Sequence, residues 1–105
     1  MRRGEVWWGD LASPVGRRPV VLLSRDGAYA IRDFVVVTPV TSRARGLPTE
    51  VTLGPEDGLP RVSVANLDVI YTVPKRRLQT RIAALSQDKL HAVDAAIHFA
   101  LGMET

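Results

Sequence analysis

Cysteine is absent from the 105-residue chain, which removes disulfides, thiolate metal sites and cysteine nucleophiles together and fits a reducing compartment. Lysine is scarce: only Lys75 and Lys89 accompany twelve arginines. No apolar run approaches the roughly 20 residues of a membrane span. The amino terminus, Met1-Arg2-Arg3-Gly4-Glu5-Val6, passes straight into patterned sequence, unlike a signal peptide. A cytoplasmic protein with no membrane attachment is therefore expected. Glycine-rich phosphate loops, nucleophile elbows and zincin motifs are missing as well. His91 and His98 have no third ligand at a metal-binding spacing, so they read as helix-surface histidines and no metal site is expected.

What is present suffices for one core. With 46% hydrophobic residues, a chain of this length folds as a single domain over residues 1–105 and needs no covalent staples. The net charge is only +3, yet the preference for arginine has two readings. Arginine presents a planar fork to phosphate oxygens and stacks on bases, which suits a nucleic-acid partner. GC-rich coding would give the same bias, and composition does not separate the two.

The first two-thirds reads as strands cut by turn residues. Val20-Val21-Leu22-Leu23 and Phe34-Val35-Val36-Val37 are short β-branched runs of the kind that form buried strands. Glu50-Val51-Thr52-Leu53 and Arg61-Val62-Ser63-Val64 alternate as half-exposed strands do, and a further pair is expected around Val69–Val73 and Arg81–Leu85. Ser13-Pro14, Asp26-Gly27, Gly46-Leu47-Pro48 and Gly54 to Gly58 punctuate them, with Glu56 and Asp57 as solvated turn residues. Helical period appears only at the end, where Leu90, Val93, Ile97, Ala100 and Leu101 follow an N-cap at Ser86 and an acidic first turn at Asp88, and precede Gly102. Many short strands with one terminal helix predict a mainly β fold, a curled antiparallel sheet or small barrel.

Candidate chemistry is confined to basic and hydroxyl residues. Pro19 keeps the preceding residue extended, so Arg18 in Arg17-Arg18-Pro19 is held at a defined place where a strand begins. Thr38, Thr41 and Ser42 surround the end of the Val35–Val37 run, where packing is the default role for a threonine. Arg43 and Arg45 form a basic loop, expected to be mobile, and Lys75-Arg76-Arg77 is the densest positive cluster. Of the neighbours Trp7 and Trp8, strand alternation sends one ring to the core and leaves the other outside.

The order Arg3-Gly4-Glu5-Val6-Trp7-Trp8, Gly16-Arg17-Arg18-Pro19-Val20-Val21-Leu22 and Val35-Val36-Val37-Thr38-Pro39-Val40-Thr41-Ser42 closely resembles the MazF/PemK family of toxins. Ser63-Val64, Ile70-Tyr71-Thr72-Val73 with Lys75-Arg76-Arg77-Leu78, and the ending from Leu85-Ser86 to Leu101-Gly102 continue the likeness over nearly the whole chain. The resemblance implies an SH3-like barrel of the CcdB/PemK type with an added terminal helix. It also implies a homodimer that cuts single-stranded RNA sequence-selectively without metal or other cofactor, and a cognate antitoxin whose acidic, disordered tail fills the RNA groove. By position, the family's catalytic arginine falls on Arg18 and its strand-end hydroxyl on Thr41. Arg17, Ser42, Arg43, Arg45, Lys75, Arg76 and Arg77 are the candidate RNA-binding residues. Two rivals share the barrel: a gyrase-inhibiting toxin of the CcdB type and a non-catalytic RNA-binding protein.

The sequence also departs from the family. Its first loop, Ser13-Pro14-Val15-Gly16-Arg17, is short and carries arginine where many relatives have an acid. A glutamine frequent in relatives is replaced near Val69, and Pro74 stands where an acid is common. These changes bear on base selectivity. Glu5 and Asp10 carry too little signal to be named as the proton acceptor.

Overall fold

A computed structural model describes residues 1–103. Its strands are β1 (Glu5–Leu11), β2 (Gly16–Leu22), β3 (Phe34–Thr41), β4 (Glu50–Leu53), β5 (Ser63–Asn66), β6 (Tyr71–Pro74) and β7 (Leu78–Ala84). One turn of helix, α1 (Ala28–Ile31), follows β2, and the chain closes on α2 (Gln87–Ala100). Among the described residues every strand pairing is antiparallel, in the order β4-β5-β3-β2-β1-β7. Strand β3 is long enough to serve two partners on one side: residues 34–37 pair with β6 and residues 40–41 with β5. The mainly β architecture with a terminal helix agrees with the sequence, and among the described residues no helix is long and apolar enough to cross a membrane.

The continuous apolar run of β2 has a direct cause. Successive side chains on a strand point to opposite faces, and here both faces are covered. Val21 and Leu23 enter one cluster with Val6, Leu53, Leu67 and Val93, whereas Val20 and Leu22 enter a second with Leu11, Val35, Val37 and Val73. Helix α2 seals the first cluster through Val93 and Ala96, with Leu90 and Ile97 packed beside them. Its N-terminus is capped as expected, the Ser86 Oγ accepting the Lys89 N–H at 3.2 Å. Leu101, assigned to the apolar stripe by period, is instead 60% exposed, because it lies beyond the last turn, at the C-cap.

Three local expectations change. Strand β5 begins only at Ser63, so Arg61 and Val62 belong to the preceding turn. Asp57 is not a solvated turn residue: its side chain is 6% exposed, accepts the Gly54 N–H at 2.9 Å and stands 3.7 Å from Lys89 Nζ. The turn ends at Gly58, whose φ of +90° favours glycine and where an added Cβ would meet the Ala83 Cβ at 2.8 Å. This close approach carries the β4 side of the curled sheet onto β7. Finally, Trp7 and Trp8 are both half-buried. The Trp7 ring packs on the second cluster and its Nε1–H donates to Glu5 Oε1 at 2.9 Å, while the Trp8 ring lies under Arg17.

Candidate active site

Two strands bring the two principal candidates together. Arg18 sits on β2 opposite Gly9, just before the buried half of the strand, and Thr41 is the last residue of β3, paired with Val64. Both line each of two cavities. The first, about 410 Å³, continues past Trp8, Arg17 and Ser42 to Arg61 and Ser63. The second, about 400 Å³, runs past Arg43 and Arg45 to Asn66 and Tyr71. A third cleft, of Leu11–Val15, Tyr71–Pro74 and Arg77, shares Pro14, Val15 and Tyr71 with the second and prolongs the groove.

Among the described residues, Arg18 is fixed through one nitrogen. Its Nε–H donates to the Val15 carbonyl at 3.2 Å, which orients the guanidinium and leaves the terminal N–H groups for a ligand. Thr41 is half-buried, and its Oγ1 accepts the Arg43 N–H at 3.3 Å, so its own proton stays free to donate. Thr38 has a different task. Fully buried, it places Oγ1 2.9 Å from the Asn66 carbonyl and 2.8 Å from that of Val69, tying β3 to the β5–β6 turn beneath the second cavity.

The basic loop after β3 is pinned. Glu50 Oε1 accepts the N–H groups of Arg45 at 2.9 Å and Leu47 at 3.2 Å, and the Arg45 amide, followed by those of Leu47 and Gly46, holds the Glu50 carboxyl below its ordinary range. Arg43 and Arg45 are thereby presented to the second cavity on a defined backbone. The cluster at residues 75–77 is divided. Lys75 Nζ donates to the Tyr29 carbonyl at 2.7 Å, Arg77 lines the third cleft, and neither they nor the exposed Arg76 line the two cavities shared by Arg18 and Thr41.

Among the described residues, no carboxylate, imidazole or lysine lines those two cavities, whereas five arginines do. Glu5 is engaged elsewhere. Burial pushes its carboxyl up, but hydrogen bonds from the Trp7 indole, the Arg2 amide and Arg81 outweigh that and hold it below the usual glutamate range. The arrangement can therefore bind a phosphodiester and stabilise negative charge on it. Arg61, Ser63, Asn66 and Tyr71 were not among the site candidates offered by the sequence, although Ser63 and Tyr71 fall in its family-like motifs. The Arg61-Val62-Ser63-Val64 alternation marked the strand but not the cavity at its mouth.

Residues 2–101 match the family described as PemK-like, MazF-like toxin of type II toxin-antitoxin system. The chain is 42% identical over 100 residues to a Mycobacterium tuberculosis protein named probable endoribonuclease MazF5, covering 94% of this chain and 91% of that one. Its fold is similar to the Mycobacterium tuberculosis toxin MazF-mt6, with a TM-score of 0.89 at 30% identity over 96% of this chain and 99% of the other. It is also similar to an endoribonuclease in complex with its cognate antitoxin from Mycobacterial species, with a TM-score of 0.88 at 28% identity over 100% and 98% of the two chains. With cavity, fold and sequence in agreement, this chain belongs to the PemK-like, MazF-like toxins of type II toxin-antitoxin systems.

Proposed function

We propose that the chain is an endoribonuclease toxin that cuts single-stranded RNA in the cytoplasm, acts as a homodimer and is silenced by a cognate antitoxin. The observation that carries this reading is the meeting of Arg18 and Thr41 where two arginine-lined cavities join. The scissile phosphate sits at that junction, with its flanking nucleotides in the cavities on either side. The relative named an endoribonuclease and the neighbour solved with its cognate antitoxin support the same reading. An antitoxin segment rich in Asp and Glu would match the arginine groove in charge.

In this reading the groove supplies charge stabilisation and alignment, and solvent carries the protons. The 2′-oxygen attacks the adjacent phosphorus as its proton leaves to water, and the bond from phosphorus to the 5′-oxygen breaks as that oxygen takes up a proton from water, so that no net proton is gained or lost. The products are a 2′,3′-cyclic phosphate and a 5′-hydroxyl. Arg18 bonds the phosphoryl oxygens with its free terminal N–H groups and supports the departing 5′-oxygen, while Thr41 donates one further hydrogen bond. Their value lies in alignment and in charge stabilisation at the moment of attack. Arg17, Ser42, Arg43, Arg45 and Arg77 bind along the strand. Lys75 and Arg76, away from the junction, bind the outlying RNA.

The test is incubation of purified protein with mixed-sequence single-stranded RNA in excess chelator, beside Arg18→Ala. The wild type is expected to cut and the variant to lose at least about 10²-fold in rate, the usual cost of a preorganised donor. Intact RNA with the wild type would refute the reading. Binding without cutting would make the protein an RNA-binding barrel.

A further inference from the structure

Arg17 is exposed on β2, where an arginine is ordinarily a mobile, solvated cation, yet three features of the fold immobilise it. Its guanidinium carbon lies 4.3 Å from the centre of the Trp8 ring, within cation–π range. Its Nε–H donates to Gln79 Oε1 at 3.0 Å. The third feature is the backbone that delivers Gln79. In the β1–β7 ladder Trp8 pairs with Thr80 and Gly9 with Leu78, so Gln79 has no partner on β1 and is the extra residue of a β-bulge. Bulges re-aim side chains, and this one puts the Gln79 amide against a residue of β2, across the intervening strand.

The choice of partner is informative. Asp10 stands opposite Arg17 in the β1–β2 register, yet among the described residues no ion pair joins them. A neutral amide orients the guanidinium without cancelling its charge; a carboxylate would do both. Stacked on one face and bonded at Nε, Arg17 keeps its terminal N–H groups for a ligand, in the first cavity beside Arg18. Two successive arginines are thus each oriented through Nε, one by a backbone carbonyl and one by a bulge residue.

We infer that Arg17 is a preorganised clamp for the phosphodiester next to the scissile one, and that Trp8 and Gln79 are the positioning residues that hold it. This rests on the endoribonuclease reading and adds to it a binding subsite with its own machinery. Because the fork is aligned before RNA arrives, little side-chain freedom is lost on binding. The benefit falls on affinity and KM, whereas Arg18 and Thr41 act on the bond being broken.

The experiment combines cleavage kinetics on a mapped RNA with binding of the same RNA carrying a 2′-deoxy nucleotide at the cut site, titrated with salt. Arg17→Ala is expected to raise KM about tenfold, as loss of a charge-assisted bond does, and to reduce the slope of log affinity against log salt by about 0.7, one phosphate on a single strand. Gln79→Ala keeps the charge, so KM rises about threefold with the slope retained, and it adds nothing in an Arg17→Ala background. Gln79→Glu keeps the orientation and cancels the charge, so the slope falls as in Arg17→Ala. Arg17→Lys keeps the slope without recovering KM. Trp8 fluorescence should change in Arg17→Ala, reporting the lost stack. Exposed positions 17 and 79 allow folding to be checked by an unchanged melting temperature. A wild type that cuts while Gln79→Ala matches it, or adds fully to Arg17→Ala, overturns the clamp alone. A wild type that cuts nothing removes the endoribonuclease reading and the clamp with it.

Discussion

Two threonines three positions apart on β3 show how the same residue type divides between scaffold and chemistry. Thr38 is fully buried with its hydroxyl consumed by two carbonyls, whereas Thr41 is half-buried with a proton free at the cavity junction. Replacing Thr41 by Ala should therefore slow RNA cleavage by about 10² to 10³-fold, as removal of one preorganised donor does, while leaving the melting temperature nearly unchanged. Thr41→Ser should recover most of the rate. Single-turnover kinetics on a mapped RNA check both, and a Thr41→Ala enzyme within a few-fold of wild type would remove the hydroxyl from the mechanism. At this scale the sequence was legible where local covalent constraint did the positioning. Pro19 keeps the preceding Arg18 extended, whereas Thr41 reads locally as an ordinary strand threonine and stood out only through the resemblance to the family. Arg61 and Gln79 were not legible, since one reaches the groove through the curl of the sheet and the other reaches Arg17 through a bulge, and neither is written in periodicity.

Among the elements, those with a repeating burial pattern were readable and those made by a single contact were not. Helix α2 carries both its period and its cap, and the unbroken apolar runs of β2 and β3 follow from cores on both faces. The α1 turn is too short to show a period. It is held by Tyr29, whose hydroxyl donates to the Ser24 carbonyl at 3.0 Å and whose phenol is pushed up to about 12 by burial and by the Asp26 charge. The turn between β5 and β6 depends in the same way on Thr38. Thr38→Val keeps the shape but leaves the Asn66 and Val69 carbonyls without the hydroxyl, at a cost of about 1–3 kcal/mol. With a shift of about 4–8 °C per kcal/mol for a domain of this size, thermal unfolding should show the loss plainly, and Thr38→Ser should restore part of it. An unaltered melting temperature in Thr38→Val would mean that the turn is held by its own hydrogen bonds, such as the Val69 N–H to the Asn66 carbonyl at 3.0 Å.

Across the whole molecule, five of the twelve arginines line the two cavities that Arg18 and Thr41 share, while bulky apolar side chains stay uncovered at the end of α2. Phe99 is 62% exposed and Met103 52%, with Leu101 between them, and Phe99 also borders a shallow groove with Val51, Ala92 and Ala95. Large apolar side chains exposed close together in the chain suit an interaction surface, and a symmetric pair would cover them twice over with one set of residues. The proposed homodimer therefore predicts a sedimenting mass near 23 kDa at micromolar concentration, twice the 11.5 kDa of one chain. If the α2 end is the contact, Phe99→Glu places two carboxylates close to the two-fold axis and should give monomers that remain folded, because the ring contributes little to the interior. A wild type that sediments at the mass of one chain would refute the dimer. A Phe99→Glu protein that stays paired would move the contact to the other exposed apolar pair, Ile31 and Phe34, at the opposite end of the β3–β6 ribbon from Tyr71.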